Sequence, residues 1–246
     1  MTDPSWCGLD DGSQVYYRAP DFWRPGTTIA VRSGLEGLPI GGDRIGDADR
    51  IAASTIGRQV SLQVDNATKR MAVYRDGKLI RKTPVSPGKP STPTPSGRMV
   101  IMEKLQKPPS TPGESPTAAT SSTWKTPSGH TWGGEFIHGA PWSEGDQGKT
   151  NVSHGCTNVS AAAADWLMGI TQVGDLVTFT GTEVRLQAGN GWTAWNLPWT
   201  DFVKGSALPV PPSAAAAPTA AARTGTAGGS PAPSTTPSST MSARAN

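Results

Sequence analysis

Residues 135–160 read EFIHGAPWSEGDQGKTNVSHGCTNVS, and this stretch orders the whole chain. Its opening, Glu135–His138, reads as a short strand. Gly139–Ser153 is a Gly-rich loop. Ser160 then stands where a helix cap belongs, ahead of Ala161–Met168, whose four alanines and Leu167 are strong helix formers, with Gly169 near the end. Asp175–Thr180 reads as a closing strand. The same stretch holds two of the three histidines and one of the two cysteines of the chain, so its reading bears on chemistry as well as fold.

A thiol attacks as thiolate, and a free Cys with a pKa of about 8.5 is mostly neutral at pH 7. It needs an imidazole close by to take its proton or to pair with it. Cys156 with His138 or His154 supplies that combination. Gly155 removes a side chain beside the sulfur and lets backbone N–H groups approach an acyl oxygen, where losing one donor costs about 2.7–4 kcal/mol of barrier. A helix start near Cys156 would add its dipole in favour of thiolate. The bland alternative is a Cys that serves as a small buried hydrophobe. Its setting among Ser, Thr, Asn and Gly, rather than in an apolar run, weighs against that. His138, His154 and Cys156 are also a conceivable zinc set. No Cys-x-x-Cys or His-Glu-x-x-His spacing accompanies them, so no metal and no cofactor is expected.

Outward from this stretch the pattern is of short strands and turns. Val60, Leu62 and Val64 alternate with Ser61 and Gln63, the period of a half-buried strand. Asp65-Asn66-Ala67-Thr68 is a turn, Arg70–Tyr74 returns, and Asp76-Gly77 is a hairpin signal before Lys78–Lys82. Arg98–Lys104 is a further strand. Gln106–Gly129, rich in Pro, Ser and Thr, has the length of a functional lid. Val15–Arg18 and Thr28–Val31 read as strands of a small N-terminal piece. Trp192, Trp195 and Trp199 mark a C-terminal segment that packs back on the domain.

From Pro209 to Asn246 the chain is Pro, Ala, Ser, Thr and Gly with almost no large apolar residue. It cannot bury enough surface to offset its ordering entropy and is expected to be a disordered tail. The expected units are therefore 1–50, 51–184, 185–207 and 208–246. The abundance of Gly and Pro against a charged fraction of 17% points to a mostly β fold. Net charge is +3 without a Lys or Arg cluster, so there is no nucleic-acid footprint. Pairing Cys7 with Cys156 would block a nucleophile, so no disulfide is expected. No apolar run is long enough to span a membrane. Met1–Asp11 carries neither a basic n-region nor an apolar h-region, which taken literally means a cytoplasmic protein.

Ser153-His154-Gly155-Cys156-Thr157-Asn158 resembles the signature of the L,D-transpeptidase (YkuD) family. His138-Gly139-Ala140-Pro141-Trp142-Ser143 is similar to the family's first histidine block. The runs at 86–94, 145–148 and 195–199 are similar to its actinobacterial branch. The resemblance spans about 51–204. It implies a mixed β-sandwich or barrel-like catalytic domain with one short helix after the nucleophile, preceded by a partial immunoglobulin-like β module. It implies a peptidoglycan transpeptidase: Cys156 attacks a stem tetrapeptide, and the acyl group passes to an amine of a neighbouring stem in a 3→3 cross-link. The resemblance assigns proton transfer to His138, oriented by the Gly139 carbonyl, with His154 in support. It assigns the oxyanion donors to the N–H groups of His154, Gly155 and Cys156. Ser153, Asn158, Gly133, Gly134 and Trp132 would contact stems. It implies stem-peptide partners, covalent inhibition by carbapenems, a monomer, and a place outside the cytoplasm, in the periplasm or cell wall. The lid departs from the branch in having no Tyr; Trp124 is a stand-in. Two alternatives remain: an L,D-carboxypeptidase or wall-protein-detaching hydrolase using the same Cys, and a non-catalytic wall-binding module.

Overall fold

The computed structural model describes residues 5–9, 14–104, 125–126, 134–206 and 208–209. The expected lid, with Trp124 and His130, lies almost wholly outside the described residues. So do Trp132, Gly133 and all but the first residues of the expected tail.

A five-stranded sheet forms the centre. Its order is β7 (Lys78–Pro84), β6 (Arg70–Arg75), β5 (Val60–Asp65), β12 (Leu176–Thr180), β8 (Gly97–Val100). The β5–β12 pair is parallel and the others are antiparallel. Val60, Leu62 and Val64 point into the core while Ser61 and Gln63 do not, as the alternation requires. Met71 and Val73 from β6, and Val177 and Phe179 from β12, complete that face. Each such side chain contributes about 1.5–3 kcal/mol by leaving water. Asp76 and Gly77 have φ of 51° and 75°, the left-handed pair that a two-residue hairpin needs. On the edge strand β7, Leu79 and Ile80 are exposed between Lys78 and Arg81-Lys82, charges that discourage edge-to-edge pairing.

A three-stranded sheet lies against the same core. β10 (Ile137–Gly139) is its centre, antiparallel to β9 (Lys125–Thr126) and parallel to β11 (Thr157–Val159). Ile137 and Val159 are fully buried and join the core of the larger sheet. β11 runs directly into α1 (Ala161–Ile170). Ser160 caps it through its side-chain oxygen, which accepts from Ala163 N at 3.2 Å. The helix ends at Ile170, one residue past Gly169, and Ala163, Ala164 and Leu167 face inward. Its last carbonyls are met by cations: Arg58 donates to Ile170 O at 2.6 Å, and Lys104 to Met168 O and Thr171 O at 2.7 and 2.5 Å. That is the favourable placement of positive charge at a helix C-terminus. No helix among the described residues is long and apolar enough to cross a membrane.

Two hairpins precede the central sheet. β3 (Thr28–Ser33) pairs with β4 (Arg50–Thr55), so one strand runs through the expected boundary after residue 50. β1 (Ser5–Leu9) pairs with β2 (Gln14–Arg18). This second hairpin does not stand apart from the C-terminal segment, as separate units at 1–50 and 185–207 would suggest. Cys7 shares a cluster with Ala194, Phe202 and Val203. Arg18, 4% exposed, donates to Leu197 O at 2.8 Å, and its guanidinium lies 5.0, 5.4 and 4.4 Å from the rings of Trp195, Trp199 and Phe202. Burial lowers its pKa to about 10, with Arg98 pushing the same way. The aromatic faces replace part of the lost hydration of the cation.

Candidate functional site

The parallel register of β10 and β11 decides which side chains meet. Ile137 is paired with Thr157, His138 with Asn158 and Gly139 with Val159. Ile137, Thr157 and Val159 face the core. Alternation therefore turns His138 to the opposite face, and turns Asn158 and Cys156 with it. On ordinary strand spacings the Cα atoms of His138 and Cys156 are about 8 Å apart, a diagonal within reach of an imidazole and a thiol.

The sulfur of Cys156 sits against the chain leading into β10. Phe136 N–H points at it from 3.4 Å, and the thiol lies 3.9 Å from Gly134 O. Cys156 is half-buried. It is not at a helix start, because β11 separates it from α1, so the helix dipole does not act on it directly. His138 Nδ1 is 3.1 Å from Gly139 O. With the proton on Nδ1 the ring donates to that carbonyl and keeps the Nε2 lone pair available. The exposed ring of Trp142 stands 6.1 Å from His138, centroid to centroid, and walls one side of the approach.

The nucleophile loop is shaped by hydrogen bonds, many of them from residues 86–94. Ser86 and Asn158 exchange backbone hydrogen bonds at 3.0 and 2.9 Å, Lys89 N donates to Ser153 O at 2.9 Å, and Ser153 N to Pro87 O at 3.3 Å. Thr94, buried, accepts from Gly88 N at 2.9 Å and donates to Gly155 O at 2.7 Å. Within the loop, Ser153 Oγ donates to Cys156 O and accepts from Gly155 N. Gly155 has φ of +122°, a conformation costly for any residue with a Cβ, and such a Cβ would meet Glu135 Cγ at 3.4 Å.

Three of the expected site residues have polar groups engaged in the loops around the sulfur. The Gly155 amide, one of the expected oxyanion donors, is turned to Ser153 Oγ at 3.2 Å. Asn158 is 4% exposed and gives its amide to Ser143 Oγ at 3.0 Å, which braces the loop after β10. Ser153, 7% exposed, likewise shapes the loop. His154 is exposed, and its Nε2 lies 3.0 Å from Lys89 Nζ, pairing with the 86–94 segment. Gly134 lies beside the sulfur, whereas Trp132 and Gly133 are outside the described residues. No three metal-ligating side chains gather among the described residues. The sequence reading missed Glu135, which covers Gly155, and the Lys89–His154 pair. Both join residues whose proximity no local pattern announces.

Residues 59–179 match the family described as YkuD, the L,D-transpeptidase catalytic domain. L,D-transpeptidase 2 of Mycobacterium tuberculosis is 34% identical over 204 residues, 79% of this chain and 49% of the relative. Among solved structures, an L,D-transpeptidase from Mycobacterium smegmatis superposes with a TM-score of 0.50 at 27% identity, covering 72% of this chain and 77% of that one. An L,D-transpeptidase in complex with imipenem superposes with a TM-score of 0.51 at 26% identity, covering 73% and 78%. The chain spans about half the length of the first two curated relatives it matches.

Proposed function

Because the chain belongs to the YkuD family of L,D-transpeptidase catalytic domains, we propose that it joins peptidoglycan stem peptides through a thioester on Cys156. The observation that supports this reading is the β10–β11 register, on which alternation turns His138 and Cys156 to one face, with the Phe136 N–H aimed at the sulfur.

In the first half-reaction the Cys156 thiolate attacks the carbonyl between the L- and D-centres of a donor stem. The oxyanion that forms is met by the N–H groups of His154 and Cys156, donors that need no reorganisation at the moment of reaction. As the C–N bond breaks, imidazolium at His138 gives its proton to the departing D-amino acid. In the second half-reaction an amine of a neighbouring stem attacks the thioester. His138 takes the amine's proton and Cys156 leaves as thiolate. The Gly139 carbonyl holds the ring in the tautomer both steps require. Gly134 lies along the donor's approach and Trp142 beside the imidazole. Ser153, Gly155 and Asn158 keep the loop in shape. Substrate of this kind places the protein outside the cytoplasm, and the imipenem complex of a relative supports carbapenems as covalent inhibitors.

Intact-mass spectrometry after exposure to a carbapenem tests the proposal. The drug's mass is expected on Cys156 and absent from Cys156→Ala. His138→Ala is expected to slow acylation by about 10²–10⁴-fold. An adduct that survives Cys156→Ala would refute the assignment of the nucleophile. Incubation with donor and amine acceptor separates cross-linking from hydrolysis, since only the former gives a dimeric product.

A further inference from the structure

Lys89 brings to the nucleophile loop a positive charge that no carboxylate among the described residues neutralises. The ion pairs there are Arg50–Asp47 and Lys204–Asp201. The backbone of Lys89 is fixed by its N–H donation to Ser153 O at 2.9 Å. Its ammonium reaches Nε2 of His154, two residues from the nucleophile, at 3.0 Å. An ammonium has donors only, so the imidazole supplies its lone pair at Nε2 and carries its own proton on Nδ1. This ties up the lone pair of His154 and leaves proton transfer to His138. It also leaves two N–H groups of the ammonium for another acceptor. Glu135 lies against the same loop, its Oε1 3.8 Å from where a Cβ of Gly155 would stand.

We propose that Lys89, held by His154, is the specificity-determining contact for the free C-terminal carboxylate of the donor stem. The inference rests on the transpeptidase reading above. In a tetrapeptide that carboxylate lies one residue, about 3.5 Å, beyond the carbonyl under attack. The cation is joined by one hydrogen bond to a residue next but one to the sulfur. A charge-assisted N–H···O bond there rewards a stem that ends at the leaving residue, and it is lost when the terminus is neutral.

The test uses the full chain and two synthetic donors, identical but for a C-terminal carboxylate in one and a carboxamide in the other. Release of D-alanine or D-alaninamide gives kcat/KM for each. The wild type is expected to favour the acid by about tenfold or more. Lys89→Met is expected to bring that ratio to near one, and Lys89→Arg to keep most of it. A wild-type ratio near one overturns the proposal. So does a Lys89→Met protein that slows both donors equally and leaves the ratio standing, which is what a merely structural lysine would do. Carbapenem acylation of the same wild-type sample separates the two levels of inference. If the drug adds to Cys156 while the donors are not discriminated, only the role of Lys89 falls. If neither the drug nor either donor acylates Cys156, the transpeptidase reading falls and the role of Lys89 with it.

Discussion

Replacing Thr94 by valine asks whether the 86–94 segment holds the nucleophile loop in working shape. Thr94 is 1% exposed, and its hydroxyl bridges Gly88 N and Gly155 O, at 2.9 and 2.7 Å. Valine preserves the shape and opens no cavity, so the perturbation is confined to hydrogen bonding. Both partners are buried backbone groups, and leaving each unsatisfied costs about 1–3 kcal/mol, or about 2–6 kcal/mol together. For a body of this size, at about 2–4 °C per kcal/mol, that is a fall in Tm of about 4–24 °C. The freed Gly155 carbonyl adjoins the nucleophile, and a displacement of about 1 Å there slows chemistry by about 10- to 100-fold. Thermal unfolding and the rate of carbapenem addition to Cys156 measure the two effects separately. Thr94→Ser keeps the hydroxyl and is expected to recover both. Unchanged Tm and acylation in Thr94→Val would refute the reasoning, as would a Thr94→Ser protein as impaired as the valine variant.

Two further outcomes follow from titratable groups away from the nucleophile. Asp175 is pushed up to about 6 by burial, against the Gln172 N–H, Arg58 and Lys104. Its folded pKa lies above its unfolded one, so between about pH 4 and 6 the native state binds more protons and stability falls as pH rises through about 6. Discounted for partial exposure the loss is about 1–2 kcal/mol. Urea midpoints at pH 4.5 and 7.5 are expected to differ less in Asp175→Asn, and an equal difference in both proteins would contradict this. The thiol of Cys7 is 3% exposed and raised by burial, only partly offset by Arg18, whereas Cys156 is half-buried. Brief treatment of native protein with iodoacetamide is therefore expected to label Cys156 alone, and peptide mapping that finds Cys7 equally modified would show the β1–β2 packing to be wrong.

What local patterning could reveal, it did. The alternation at Val60, Leu62 and Val64, the left-handed turn at Asp76-Gly77, the Ser160 cap and the helix after it all depend on residues within a few positions of one another. The contact of His138 with its own neighbour's carbonyl at Gly139 was implied by the family resemblance and not by patterning. The runs at 153–158 and 138–143 carried the resemblance to the L,D-transpeptidase family, which the match over residues 59–179 bears out. The rest waited on contacts between distant segments. Only the parallel pairing of β10 with β11 brings His138 and Cys156 to a common face. Only the folded chain lays residues 86–94 under the loop, turns Asn158 inward to Ser143, sets Lys89 against His154 and seats Arg18 among Trp195, Trp199 and Phe202. A side chain's propensity is a property of its own backbone, but its partner across a sheet is set by register and burial, which many residues determine together.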